Sequence, residues 1–297
     1  FCYMKDQDHT KLPTGRDIPF LISGILGIGA SGPIIAKSLM PVPTMIMWRN
    51  LFGGLVMLPF AIKRGEWKTA PQRNAIKWSA IAGVLLALHF ICFFLAMRFT
   101  SVATGTALTA TQPIFAAIFV RLSGGHIPRK AWSGMFIAFA SVLIITGVDL
   151  NLSVRSFQGD VIAVAGGALA ALYMIIGSNV QREISTSTFT AVCYLVCALT
   201  ALPIAILAGY NLTGYSNNEW LLLIALVITA QIMGHTMFNL SLKRVSPAVV
   251  ALVVFFEVPV SAILAFLWLD QKPPAGTIPG IIGLLIGCGI FVVRSKK

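Results

Sequence analysis

With 57% hydrophobic residues, only 11% charged ones and a mean hydropathy of +0.85 over 297 residues, this chain falls outside the soluble globular class, where about 25% of residues are charged. Apolar runs of about 20 residues recur along its whole length, each enough to cross a hydrocarbon core of about 30 Å, and nothing resembles the short alternating segments of a membrane barrel. The net charge of +12 does not describe a nucleic-acid surface, because the basic residues sit between the apolar runs, where they orient a membrane protein, and no basic groove interleaved with aromatics is present.

The pattern predicts an all-α membrane protein of ten spans, at roughly 17–37, 42–62, 75–97, 101–121, 129–148, 158–180, 187–208, 218–242, 247–268 and 275–294. A polar tail, 1–16, precedes the first, and no cleavable signal is read. Pro41 and Pro43 precede the second span, Pro128 and Pro274 open the fifth and tenth, and Pro247 lies in the first turn of the ninth, where a missing N–H costs little.

The first span carries Gly24, Gly27, Gly29, Gly32 and Pro33, so it is easily bent and closely packed; GIGASGP follows no strand and is not a nucleotide loop. In the second, Trp48 and Arg49 lie about eight residues in. Arg49 either snorkels to headgroups or receives a substrate carboxylate. His89 lies about 13 Å deep in the third, near Phe90, Phe93 and Phe94, which with Tyr173 of the sixth stack on an aromatic substrate or simply pack. On the fourth, Thr104 and Thr111 share a face and Gln112 precedes Pro113; they line a cavity or back-bond within the helix.

Gln231, His235 and Asn239 of the eighth span follow i, i+4, i+8 spacing, which predicts one polar stripe. Such groups face water or a partner helix, not lipid. Glu257 is the one carboxylate well inside a span, about 15 Å deep in the ninth. A charge there costs roughly 2.5–3.5 kcal/mol, so it must be protonated, paired or at a wet wall. Gly283 and Gly287 of the tenth give small-xxx-small spacing for close helix contact. Cys2, Cys92, Cys193, Cys197 and Cys288 form no CxxC and are expected as free thiols. His89 and Cys92 share a face, but no further ligand gathers, so neither metal nor cofactor is expected.

The segment from His89 to Gly134 occurs twice. Adding 146 carries His89 to His235, Arg98 to Arg244, Pro113 to Pro259, Pro128 to Pro274 and Gly134 to Gly280 without a gap. Weaker parallels join Asp17 to Asp160 and Leu58-Pro59 to Leu202-Pro203. The chain therefore divides into the tail 1–16, a first five-helix repeat 17–148, and a second repeat 149–297 with a short basic end. Five is odd, so the second copy enters the membrane inverted, the architecture of alternating-access carriers. Of the 22 Lys and Arg, Lys37, Arg98, Arg155 and Lys272 fall outside and Arg49 within a span. The remainder lie on the inner side, which places both termini in the cytoplasm. Pro113 and Pro259 each free a carbonyl one turn earlier and mark symmetric candidate hinges.

The fourth span ATGTALTATQPIFAAIF with its short basic loop and Gly-rich fifth span, and SPAVVALVVFFEVPVSAILAFLWLDQKP followed by IPGIIGLLIGCGIFVV, resemble the EamA branch of the drug/metabolite transporter superfamily, over essentially Asp17 to Val293. Within it the chain is most similar to the YddG-type amino-acid exporters. The resemblance implies a bacterial inner-membrane exporter of amino acids, aromatic and other apolar ones favoured. It also implies a central cavity walled by spans one to four and six to nine, with five and ten at the periphery. The expected partners are a small-molecule substrate and the bilayer, not nucleic acid, and the chain is expected to act as a monomer. No HExxH, GxSxG or ATP-binding loop is present, so an enzyme or ATP-driven pump is not expected. The rival readings are a proton-coupled multidrug or cation exporter using Glu257 and a membrane receptor without transport. Small multidrug carriers of the superfamily use a carboxylate in their first helix. Here that helix has none beyond Asp17, which counts against the drug–proton reading.

Overall fold

The computed structural model describes residues 13–122, 129 and 132–294, and among these all regular structure is helical. Most of the tail, Cys2, Pro128 and Lys130, the last three residues and the side chain of Cys288 lie outside the described residues. Seven helical stretches are long and apolar enough to cross a membrane: Ile18–Lys37, Val42–Arg64, Ala70–Phe99, Val102–Phe119, Val154–Val180, Thr186–Leu207 and Asn217–Ser241. Trp132–Ile144, Glu257–Leu269 and Thr277–Phe291 are shorter apolar helices. The molecule is a multi-span helical membrane bundle.

The helices are α1 (Ile18–Gly29), α2 (Ser31–Lys37), α3 (Val42–Arg64), α4 (Ala70–Phe99), α5 (Val102–Thr109), α6 (Gln112–Leu122), α7 (Trp132–Leu152), α8 (Val154–Val180), α9 (Thr186–Leu207) and α10 (Asn217–Leu226). A π-helical segment (Val227–Thr236) leads into α11 (Met237–Ser241), and α12 (Pro247–Val254), α13 (Glu257–Leu269) and α14 (Thr277–Arg294) complete the order. Local chemistry sets their ends. Gly65 takes the left-handed conformation (φ 63°) that closes α3. Thr69 and Gln72 form a reciprocal capping box on α4, and Ser101, Ser153 and Ser185 cap α5, α8 and α9. α3 packs along α9, α4 along α8 and α9, α7 along α14, and α1 along the π segment.

Three spans read as continuous helices are broken. α1 and α2 part at Ala30. Pro33 has no N–H for the Gly29 carbonyl, which instead accepts from Ser261 Oγ at 2.7 Å. α5 gives way to α6 at Ala110–Thr111, and α12 to α13 at Phe255–Phe256. The candidate hinge residues Pro113 and Pro259 thus each fall in the first turn of the second piece, and the carbonyls they deprive of an i+4 donor, those of Thr109 and Phe255, lie at the breaks, that of Phe255 accepting from Val258 N at 3.1 Å instead.

The span at 218–242 is likewise not a uniform α-helix. Its π segment is pressed on α1: a Cβ on Gly27 would stand 2.8 Å from Gly234 N, and one on Gly234 would stand 2.5 Å from Ile28 Cγ2. Ser23 Oγ donates to the Met233 carbonyl (3.2 Å) and Thr236 Oγ1 to that of Gln231 (2.9 Å). The stripe expected at 231, 235 and 239 is corrected: His235 and Asn239 line one cavity, whereas Gln231 is fully buried and bonds to Arg49 and Asn50 of α3.

α3 and α9 are tied at both ends by carboxylates from the segments that follow them. Glu66 Oε2, beyond the end of α3, accepts from Ser185 N (2.8 Å), Ser185 Oγ (2.7 Å) and Thr188 Oγ1 (2.6 Å) at the start of α9. Glu219 Oε2, in the first turn of α10 after α9, accepts from Ser38 Oγ (2.5 Å), Leu39 N (3.0 Å) and Met40 N (3.1 Å), just before α3. Burial alone would raise the Glu66 pKa; the Thr188 and Ser185 hydroxyls and the Ser185 N–H overcome it and hold the carboxyl below its ordinary 4.5. Its folded pKa is depressed, so the stabilisation is present above pH 4.5 and is lost as pH falls through the lower folded value. Glu66→Gln should therefore cost about 1 kcal/mol at neutral pH. The deficit should close as both proteins are taken below pH 4.5, measured by thermal unfolding in detergent.

Candidate substrate cavity

The broken helices and α3, α4, α8 and α11 converge on an internal cavity with ≈ 40 Å³ open to the centres of water-sized molecules, enough for a few waters. Its polar wall includes Arg49, His89, Gln112, Tyr173, Asn239 and Glu257. His235 joins them, and Phe90, Phe93, Met174 and Phe238 supply much of the apolar wall. The side chains come from both halves of the chain. The lining also departs from the walls expected of spans one to four and six to nine: α9 contributes none of it and stands behind α3 and α4.

Arg49 is the largest fully buried side chain among the described residues, at 1% exposure. Its Nε donates to Gln231 Oε1 (2.6 Å), whose Nε2 donates to Asn50 Oδ1 (2.9 Å); Asn50 Nδ2 in turn donates to the Ile46 carbonyl (2.9 Å). The guanidinium lies over the Phe90 ring at 4.1 Å, a cation–π contact that partly replaces hydration. Nη2 has no hydrogen-bond partner among the described residues. Arg49 therefore does not snorkel; it is a buried cation in the cavity wall, held through its Nε.

His89 and His235, 146 positions apart in the sequence, sit with ring centroids 6.3 Å apart. His89 Nδ1 donates to the Gly166 carbonyl (2.9 Å), which leaves Nε2 as the ring's acceptor. His235 stands edge-on to Phe90 at 5.0 Å. Asn239 Nδ2 donates to Tyr173 OH (2.5 Å), and Tyr173 stacks on Phe189 of α9. Glu257, 7% exposed, opens α13 immediately after the helix break and forms no ion pair with Arg49. The cavity thus offers a cation, a carboxyl, two imidazoles, two amides and a phenol, with aromatic walls between them.

Not every predicted residue reaches it. Gln231 is fully buried behind Arg49. Thr104 belongs to the Ser101 cap (2.8 Å between hydroxyls). Thr111 Oγ1 donates back to the Leu108 carbonyl (2.7 Å). Trp48 Nε1 donates to the Leu212 carbonyl (2.6 Å) and its ring packs edge-on to Trp220. Gln112 does face the cavity, and its Oε1, like Thr109 Oγ1, has no partner among the described residues. Sequence reasoning missed Asn50, Ser31, Met174 and Phe238. Asn50 alone carried a signal, as a second polar residue beside Arg49 inside an apolar run. Among the described residues no group of three or more His, Cys, Asp or Glu could hold a metal.

Comparison with known proteins agrees with this architecture. The EamA-like transporter family matches the chain twice, over residues 17–147 and 157–293. A transporter of uncharacterized function from Archaeoglobus fulgidus is 27% identical, covering 73% of this chain and 75% of its own. The pseudopaline exporter CntI of Pseudomonas aeruginosa is 22% identical over 88% and 89%, and the inner membrane protein YtfF of Escherichia coli 23% identical over 93% and 94%. A crystal structure 16% identical superposes over 96% of this chain and all of its own with a TM-score of 0.67, a likeness of fold. The chain belongs to the EamA-like transporter family and is a multi-pass secondary transporter of small molecules.

Proposed function

We propose that this transporter exports amino acids, aromatic and other apolar ones favoured, from the cytoplasm by alternating access of two inverted five-helix repeats, 17–148 and 149–297, with both termini inside. The observation that carries the substrate is Arg49, a buried cation whose Nη2 has no hydrogen-bond partner among the described residues, in the wall of the same cavity as Glu257. A zwitterion brings a carboxylate for the first and an ammonium for the second, and His89, Gln112, Tyr173, His235 and Asn239 can complete its hydrogen bonds. Phe90 and Phe93 offer an apolar face to its side chain. The same guanidinium disfavours a multidrug or cation exporter, since a lipophilic cation would meet a like charge with little water to screen it.

Two arginines support the conformational part of the reading. Arg244 Nε pairs with Asp17 Oδ1 at 2.5 Å, joining the second half to the first. Arg98, its counterpart 146 residues earlier, donates within its own half to the carbonyls of Ser38 (3.1 Å) and Met40 (2.6 Å). Inverted repeats that exchange conformations would exchange these roles: Arg98 would reach Asp160, the counterpart of Asp17, while Arg244 releases its partner. Pro113 and Pro259, beside the paired helix breaks, are the hinges of that exchange.

In proteoliposomes, Glu257→Gln and Arg49→Ala should each lower amino-acid kcat/KM by roughly tenfold or more; unchanged kinetics in either would remove that residue from the site. For the exchange, a lone cysteine at Met174, on the cavity wall, reports access from each membrane face in an otherwise cysteine-free protein. Asp17→Asn should raise labelling from the Arg244 side and Asp160→Asn from the Arg98 side. Shifts of the same sign would contradict it.

A further inference from the structure

We propose that Gln231 sets the charge preference of the cavity: as a neutral acceptor on the Nε edge of Arg49 it fixes the guanidinium yet leaves its positive charge uncancelled for a substrate carboxylate. This rests on the amino-acid reading above and names the residue that enforces it.

The geometry is specific. Gln231 touches no cavity space, is 0% exposed, and spends both ends of its amide on α3, one on Arg49 and one on Asn50. Its seat is shaped for it, because a Cβ on Gly53, one turn beyond Arg49, would stand 2.7 Å from Gln231 Cγ. His235 and Asn239 of the same span line the cavity, whereas Gln231 does not. It holds the arginine at Nε, while Nη2 has no hydrogen-bond partner among the described residues.

A carboxylate in the same seat would accept the same Nε–H but bring a full counter-charge. Gln231→Glu is nearly isosteric, and Asn50 can turn its amide to donate to the new oxygen. Arg49 and the introduced carboxylate would then be neutral as a unit. The cavity would lose its pull on carboxylates while Glu257 continued to favour an ammonium group. Gln231 is thus a positioning and specificity residue acting through Arg49, not a substrate contact.

The test compares an aromatic amino acid with its decarboxylated amine, phenylalanine with phenethylamine, in counterflow on proteoliposomes. The native protein should favour the amino acid, and Gln231→Glu should lower the amino-acid-to-amine ratio by roughly tenfold or more. Gln231→Met, neutral but unable to hold Nε, should raise KM for the amino acid with a smaller change in ratio. A merely structural role would depress both substrates together. Gln231→Glu with native melting and a native ratio overturns the proposal. If that variant does not fold, Gly53→Ala decides: displacing Gln231 must raise KM for the amino acid as Gln231→Met does, and an unchanged KM overturns the proposal equally. A native protein that moves no amino acid sinks the amino-acid reading, and this inference falls with it.

Discussion

A guanidinium sealed inside a membrane bundle, with no carboxylate of the described residues in ion-pair reach, must be held by what packing supplies. Around Arg49 that is one amide, one aromatic face and a cavity with room for water. Placing an arginine at the centre of a span costs roughly 2.5–3.5 kcal/mol on insertion scales. The surrounding structure can be understood as what makes the placement tolerable. Gly53 gives Gln231 its seat against α3, and the close contact of Gly27 with Gly234 lets α1 lie against the π segment. A transporter gains from such a charge only if it stays uncompensated until substrate arrives. That is why a neutral amide, and not an acid, is the consequential neighbour.

The cavity depends equally on backbone that fails to remain helical. In hydrocarbon a free carbonyl is expensive unless protein or trapped water reaches it. The interruption at Ala110–Thr111 is buried, as is Phe255 at the break between α12 and α13, while Ala30 is half-buried and Phe256 turns its side chain outward. At Gly29 the replacement donor is visible in Ser261. Glu257 follows one break directly, and Gln112 another, so the irregular backbone sets these polar groups on the cavity wall.

Much of this was legible in the residues. Apolar runs of span length need no tertiary context to be recognised, and α3 and α9 begin and end within a few residues of the positions read. Arg49, His89, His235, Asn239 and Glu257 were marked because a polar group within an apolar run has few places to go, and all five line the cavity. The proline pair identified where two helices break. What was hidden is what packing alone decides. Nothing in VITAQIMGHT announces a π turn, and helical periodicity does not tell that Gln231 spends its amide on Arg49 and Asn50 behind the cavity wall. Thr104 and Thr111 satisfy their hydroxyls locally, an outcome that spacing does not distinguish from lining a cavity.

The carboxylate ties at Glu66 and Glu219 carry a mechanical consequence. Each reaches from the chain that follows one helix of the α3–α9 pair to the start of the other, so the two antiparallel rods are lashed together at both ends. Neither rod can slide or splay without undoing a lashing. They make a stiff mast across the bilayer, against which jointed neighbours such as α1–α2, α5–α6 and α12–α13 can flex, and Arg49, mounted on that mast, is a stationary anchor.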